Sequence, residues 1–453
     1  MKISQRLFLV FIVLIHALYF VGSVFLKTYM NNDSVEYLAQ AKNIAEHASF
    51  YSSNWEVWPH NSAFYTLRPP LYGILVLLTV YTTSSAYVLL FIQSVMSIFI
   101  WWKLARVCRQ YLPGIHDTLL YLFLIGSLLL NPVQLVLCNS IFSDVFFQFI
   151  LTLAFFQLLN FVQFRQLKHF WFYVLFTALA LFTKPALVYF SYVNIALCIW
   201  MYFKIRRHRA VLFGALVLPF IIVMVSNINQ RVTGYYHYSA SKVENLWTYN
   251  TTNFLNMKYG HDSGYAYKVA IWQESKKQDG YAAQYGFVDS ACTHVLKENL
   301  QSYATYHAQG VLNFFIAPGR EFINGYLNKN EAEPKSFIKE VNVNGWKGAW
   351  DYFQSQPIFL LLLNMLVTLW NVFLLLGLIG FVLLRRIPLY IKIITILLIF
   401  YIAGVSSLAI GTARYKIAIY PILLFCNACY FRLSTNPLIL RFKNRLSHPF
   451  GAF

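Results

Sequence analysis

Long apolar blocks separated by short polar stretches set the pattern of this chain. Runs at 7–26, 86–102, 118–137, 145–162, 170–183, 186–203, 210–228, 357–384, 389–410 and 415–433 read as membrane-spanning helices. One further run, "PPLYGILVLLTVY" at 69–81, is short for a span and opens on two prolines. The N-terminus has the basic start of a signal peptide, but its apolar core outlasts an ordinary h-region and no small-x-small site follows. It reads as an uncleaved first span. Two hydrophilic segments remain, 27–85 and 229–356. The second includes "GFVDSACTHVLKENLQSYATYHAQGVLNFF", with apolar residues at helical spacing, and lacks the Pro/Gly/Ser bias of a linker. It predicts a small, mostly helical outer domain or ordered loop. No internal repeat is visible. The expected fold is all-α and polytopic, with about ten transmembrane helices and juxtamembrane helices in the first outer loop. It divides into a module over 1–228, whose first outer loop is 27–85, an outer segment over 229–356, and C-terminal helices with a basic tail over 357–453.

Composition agrees. Of 453 residues 58% are hydrophobic and only 12% charged, against about 25% charged in soluble proteins. The net charge of +19 first suggests nucleic acid, but its distribution argues otherwise. If 69–81 stays on the outer side, then Lys2, Arg6, "KLARVCR", "FRQLKH", "KIRRHR", "RRIPLYIK" and the C-terminal tail share one face. That face holds 18 of the 36 basic residues and one of the 17 acids, Asp117. This is the positive-inside pattern. It predicts ten spans, both termini cytoplasmic, and no nucleic-acid partner. Of six cysteines only Cys292 lies in the large hydrophilic segment, so no disulfide framework is expected there. Cys426 and Cys429 form a C-x-x-C inside an apolar run and read as small residues packing between helices.

The chemistry gathers on the outer face. In "NNDSVEYLAQAKNIAEH", Asp33, Glu36, Tyr37 and Ala41 fall on one side of a helix. Asp144 opens the span "DVFFQFILTLAFF", also at the outer surface. An acid there serves either as part of an N-terminal cap with Ser143 or as a functional group at the lip of a span. Cations come to the same face: Arg68 before the paired prolines, Lys184 in "LFTKPALVYF", and Arg414 and Lys416 in "GTARYKIAIYP". Lys416 reads as a snorkelling lysine. Carboxylates suit removal of a proton from an incoming hydroxyl or amine. Guanidinium and ammonium groups suit a phosphate, and apolar walls suit a lipid tail. Together they describe group transfer from a phosphate-linked lipid.

The order of these motifs resembles the C-type glycosyltransferases of the family-39 protein mannosyltransferase and aminoarabinose transferase kind. A first span is followed by D-x-x-x-Y-x-x-x-A, then R-P-P-L-Y, an acid opening a later span, Lys-Pro interrupting another, and R-Y-x-x-x-x-x-P at the last. The resemblance covers roughly 1–230 and the final span, not 229–356. It implies an inverting transfer from a polyprenyl-phosphate sugar of undecaprenyl or dolichyl type. In that transfer Asp33 is the general base, Asp144 the second acid, and Glu36 stands where relatives often have an acid adjacent to the first. Arg68, Lys184 and Arg414, with Tyr37 and Tyr72, would bind the lipid phosphate. No nucleotide is needed, and no Gly-rich phosphate loop is present. No cofactor is expected, although some relatives use a divalent metal, for which Asp33, Glu36, Asp144 and His60 or His237 are the candidate ligands. The long outer segment would cover the groove and select the acceptor, whether lipid, glycan or protein. Its Trp247, Tyr249, Tyr265, Tyr267 and Trp272 could stack on sugars, but read better as an interfacial belt and local core. A bacterial inner membrane is the expected location. Two rivals stand: a polymerase or ligase using diphosphate-linked glycans, whose key arginines would sit in the large outer loop, and a transporter or flippase.

Overall fold

The computed structural model describes residues 4–260, 262–327, 337–354, 357–407 and 412–435, which are helical with no strand among them. The basic tail beyond residue 435, Lys2 and the end of the 389–410 run lie outside the described residues. Six helices are long and apolar enough to cross a bilayer: Gln5–Leu26, Ala86–Tyr111, Asp144–Phe164, Arg209–Thr233, Ile358–Leu383 and Leu389–Ser406. This is a polytopic, all-α membrane protein.

The remaining expected spans are helical but shorter or broken, and each break has a local cause. The run 118–137 divides into Asp117–Leu129 and Pro132–Cys138, bent by 68°. Pro132 follows Asn131, and a residue before proline is driven out of the helical region. The runs 170–183 and 186–203 form Leu167–Leu181 and Phe190–Lys204, joined through a turn that carries Lys184 and Pro185. The second helix folds back beside the first, since the Tyr173 hydroxyl donates to Asn194 Oδ1 at 2.6 Å. The last run starts as Ala413–Lys416, tightens into a 3₁₀ turn at Ile417–Ile419, and continues as Tyr420–Thr435. The second and third breaks carry Lys184 and Arg414, and the first leads through a short helix to Asp144.

The proline-led run is Pro70–Val76 continued by a π-helical turn at Leu77–Tyr81. Twelve residues rise only about 18 Å, well short of the ~30 Å hydrocarbon core. It lies against Asn32–His47, with Tyr37 and Tyr72 edge to face at 4.6 Å. Gly73 permits the approach: a Cβ there would fall 2.1 Å from Gln40 Oε1.

Asp144–Phe164 is the most enclosed span, whereas Gln5–Leu26 faces outward over most of its length. Trp101, Phe155, Phe161, Phe170, Tyr420 and Phe425 fill the core around it. A polar ladder crosses this core. His16 Nε2 meets Ser97 Oγ at 2.9 Å, Gln134 donates to the same Oγ at 3.0 Å, Gln134 and Gln148 exchange amide bonds at 2.8 Å, and Gln148 donates to the Ile417 carbonyl at 2.8 Å. Buried amides without partners would cost about 1–3 kcal/mol each, so the ladder fixes the register of the helices it joins.

The outer segment is helical, as its pattern predicts, with small cores of its own around Val243, Tyr285, Val288 and Cys292 and around Phe254 and Leu296. It is not separable from the bundle, however. Its helix Leu300–Ile316 places Phe314 and Phe315 in the main core, and Lys416 donates to the Phe315 and Ala317 carbonyls at 3.0 and 3.1 Å. Lys416 is therefore a buried C-terminal cap for that helix and does not snorkel. All six cysteines are free and buried, so Cys426 and Cys429 act as packing residues.

Candidate active site

The first outer loop is stitched to the segment before Asp144. Asn31 N donates to Ser34 Oγ at 2.9 Å, and Ser34 Oγ donates onward to the Ile141 carbonyl at 3.0 Å. Ile141 N returns a bond to the Tyr29 carbonyl at 3.0 Å, and the Tyr37 hydroxyl donates to Ser143 Oγ at 3.0 Å. These side chains occupy the buried face of Asn32–His47, so the helical spacing that turns Ser34 and Tyr37 inward holds Asp33 and Glu36 at the edge. A second stitch joins the two proline loops, where Leu71 N donates to the Phe182 carbonyl at 3.1 Å. Gln40 holds the Arg68 carbonyl at 2.9 Å.

The result is one alternating chain of charge. Lys184 Nζ lies 2.7 Å from Asp144 Oδ1. Arg414 Nε lies 2.9 Å from Asp144 Oδ2, and its Nη2 lies 2.6 Å from Asp33 Oδ2. Arg68 Nη2 lies 2.8 Å from Asp33 Oδ1, and Arg68 Nε donates to Glu36 Oε2. Arg414 also lies over the Phe142 ring at 4.0 Å, and Arg68 over the Tyr37 ring at 5.1 Å. Three cations and three carboxylates from well-separated parts of the sequence thus meet. Asp144 is almost fully enclosed, 3% exposed, while Asp33 and Glu36 keep 22% and 27%.

Electrostatics separates the two first-loop acids. Burial pushes the Asp33 carboxyl up, but Arg414 and Arg68 outweigh it and hold it down at about 2. For Glu36 burial wins over Arg68, aided by Asp33 and by Glu244 of the outer segment, and its carboxyl lies above the ordinary value.

No family model and no curated protein matches the chain. Among solved structures it is similar to the crystal structure of ArnT from Cupriavidus metallidurans bound to undecaprenyl phosphate. The identity is 14% over 93% of this chain and 77% of that one, with a TM-score of 0.36. A likeness of this degree decides neither reaction nor residues.

The sequence-predicted residues divide in two. Asp33, Glu36, Asp144, Arg68, Lys184 and Arg414 converge. Tyr37 touches the cluster through its ring, its hydroxyl being spent on Ser143. Tyr72 does not join it: fully buried, it donates to Gln93 Oε1 at 2.8 Å. Gln93 in turn donates to the Cys138 and Ser140 carbonyls at 3.1 and 2.9 Å, so Tyr72 supports the turn leading to Asp144. The two histidines offered as metal ligands bond elsewhere. His60 meets the Tyr65 hydroxyl and the Trp55 carbonyl, both at 2.8 Å, and His237 meets Thr66 Oγ1 and the Tyr235 carbonyl, both at 2.7 Å. Among the described residues, no group of three or more His, Cys, Asp or Glu is placed to hold a metal ion.

In the outer segment Trp247 and Trp272 stack at 5.0 Å, and the Trp247 indole donates to the Lys268 carbonyl at 3.1 Å. Tyr267 packs beside them in the local core. Tyr249 and Tyr265 are exposed. Sequence reasoning missed Ser34, Gln40, Gln93 and Phe142, and read Ser143 only as a cap, not as the acceptor of the Tyr37 hydroxyl. None carries a signal of its own, since each matters only through a partner distant in sequence.

Proposed function

We propose that this protein is a membrane glycosyltransferase. It moves a sugar from a polyprenyl-phosphate donor, of undecaprenyl or dolichyl type, to a lipid, glycan or protein acceptor at the outer surface of a bacterial inner membrane, with both termini cytoplasmic. The observation that carries this reading is the convergence of Arg68, Lys184 and Arg414 on the carboxylates of Asp33, Glu36 and Asp144. A soluble phosphoester would need no such position at the head of the most enclosed apolar helix. A lipid phosphate does, because its tail stays in hydrocarbon while its head meets the cations.

The chemistry follows from the groups present. Guanidinium and ammonium donors stabilise charge growing on the departing phosphate oxygen. The first-loop carboxylates Asp33 and Glu36, more exposed than Asp144, supply the base that accepts the acceptor's proton. Attack in line with the leaving phosphate inverts the anomeric centre. Asp144, enclosed between Lys184 and Arg414, orients those two cations.

The test is transfer by purified protein from a panel of radiolabelled polyprenyl-monophosphate sugars. A labelled product with wild type and none with Arg414→Gln is the expected result. Turnover only with a diphosphate-linked oligosaccharide would move the assignment to a polymerase or ligase. Movement of lipid across liposomes without covalent transfer would move it to a flippase.

A further inference from the structure

We infer that Glu36, and not Asp33, takes the proton from the acceptor. This rests on the glycosyl-transfer reading above and divides the labour within it. The three carboxylates of the cluster carry six oxygens. Both of Asp33 are held, at 2.8 Å by Arg68 and at 2.6 Å by Arg414. Both of Asp144 are held, at 2.7 Å by Lys184 and at 2.9 Å by Arg414. Glu36 gives Oε2 to Arg68, and its Oε1 meets no hydrogen-bond or ion-pair partner among the described residues. It is the one oxygen of the six that can receive a proton without displacing a hydrogen bond from a cation. Glu36 is also the most exposed of the three acids, at 27%.

The charged surroundings point the same way. The groups acting on Glu36 are Arg68 from the proline loop, Asp33 one turn back on its own helix, and Glu244 from the outer segment. Burial, with smaller contributions from the two acids, outweighs the single cation and favours the protonated form. Asp33 is in the opposite state: two guanidiniums favour its ionised form, which makes it a poor base and a good anchor. Its role is to hold Arg68 and Arg414 side by side where a phosphate can reach both.

The step balances as follows. A lone pair of the acceptor oxygen or nitrogen forms the bond to the anomeric carbon. The bond from that carbon to the phosphate oxygen breaks, and its electron pair stays on the lipid phosphate between the cations. The acceptor's proton passes to Glu36 Oε1 and leaves to water after the product departs.

The experiment compares kcat and the donor KM across pH 4.5–8 for wild type, Glu36→Gln, Glu36→Asp and Asp33→Asn. Glu36→Gln is expected to lower kcat by about 10²–10⁴-fold, to leave the donor KM within about threefold, and to remove the fall in rate on the acid side. Glu36→Asp is expected to regain at least about tenfold over Gln and to shift the acid limb to lower pH. Asp33→Asn is expected to raise the donor KM while keeping the acid limb. The inference is overturned if Glu36→Gln retains kcat within about threefold with its acid limb intact, or if Asp33→Asn removes that limb. Should Glu36→Gln fail to bind polyprenyl phosphate, the acid limb of Glu36→Asp decides, and a limb that does not move overturns the assignment. Wild-type turnover separates the two levels: transfer with the Glu36 outcomes reversed sinks only this inference, whereas no transfer from any monophosphate donor sinks the glycosyl-transfer reading and this inference with it.

Discussion

The contact between Arg414 and Asp144 offers the most direct physical check on the site. Asp144 is 3% exposed and Arg414 16%, so neither charge has water to fall back on. Each charge-assisted bond is worth about 1.5–3 kcal/mol, and the guanidinium over Phe142 adds about 1 kcal/mol. Arg414→Gln leaves Asp144 with Lys184 alone and is expected to destabilise by about 3–4 kcal/mol, in the range for a buried ion pair deprived of one partner. Asp144→Asn leaves Lys184 without its carboxylate and is expected to cost about 3 kcal/mol. Combining the two removes both charges of the pair, so the double variant should fall about 2–3 kcal/mol short of the sum. Denaturant unfolding in mixed micelles at pH 7 measures all four corners of the cycle. Because the pair is enclosed, the coupling should change little between low and high salt. A coupling below about 0.5 kcal/mol would mean that the two side chains do not meet, and the cluster would lose its centre.

Four further outcomes are expected. Lys184→Met should weaken binding of polyprenyl phosphate at least about tenfold, or 1.4 kcal/mol, in a direct binding assay; unchanged affinity would take Lys184 out of the phosphate site. Asp33 is depressed from 3.8 to about 2, so it contributes about 2 kcal/mol of stability above pH 3.8, lost as pH falls towards 2; the stability gap between wild type and Asp33→Asn should shrink to under about 1 kcal/mol by pH 2.5, and a constant gap would contradict the ion pairing. Gly73→Ala puts a Cβ 2.1 Å from Gln40 Oε1 and should cost about 1–3 kcal/mol, measured by unfolding, with most of the loss relieved by adding Gln40→Ala. Tyr72→Phe leaves the buried Gln93 Oε1 unpaired and should cost about 1–3 kcal/mol with little change in donor affinity, whereas a large loss of donor affinity would restore Tyr72 to the binding site.

The sequence made some of this legible and not the rest, for physical reasons. Membrane helices declare themselves because every span must be apolar over a fixed length, and each apolar run is helical over most of its described residues. The breaks were half visible. Lys184-Pro185 announces itself as a charge inside an apolar run, but Asn131-Pro132 sits at the end of a block that reads as continuous, and its 68° bend is a matter of backbone geometry. The six ionised residues were found because a charge at the lip of a span needs a partner, and only a few charges were available. Tyr72 stands close to Arg68 in sequence, but its helix turns the phenol onto Gln93 in the core. Lys416 was misread for the complementary reason. Its expected path to water is blocked by Leu300–Ile316, a helix supplied by the outer segment. Sequence offers no sign that this helix enters the bundle.

The helix breaks and the charges belong to one device. An unbroken span would present its ends to the lipid surface with no means of turning a side chain back across the bundle. Breaking the chain at Lys184-Pro185 and at Ala413–Ile419 leaves short turns whose Lys184 and Arg414 meet on Asp144, which follows the helix that starts at the Asn131-Pro132 break. Such turns expose backbone groups that hydrocarbon cannot satisfy, and the protein answers with buried amides: Gln93 on the Cys138 and Ser140 carbonyls, and Gln148 on the Ile417 carbonyl. Gln148 lies one helical turn beyond Asp144, and Ile417 three residues beyond Arg414, so the same hydrogen bond that satisfies the broken backbone fixes the spacing between that acid and that cation. The cluster on these supports holds three cations and three acids. A carboxylate displaced from one guanidinium still lies beside a second cation, as Asp33 and Asp144 do, or open to water, as Glu36 does.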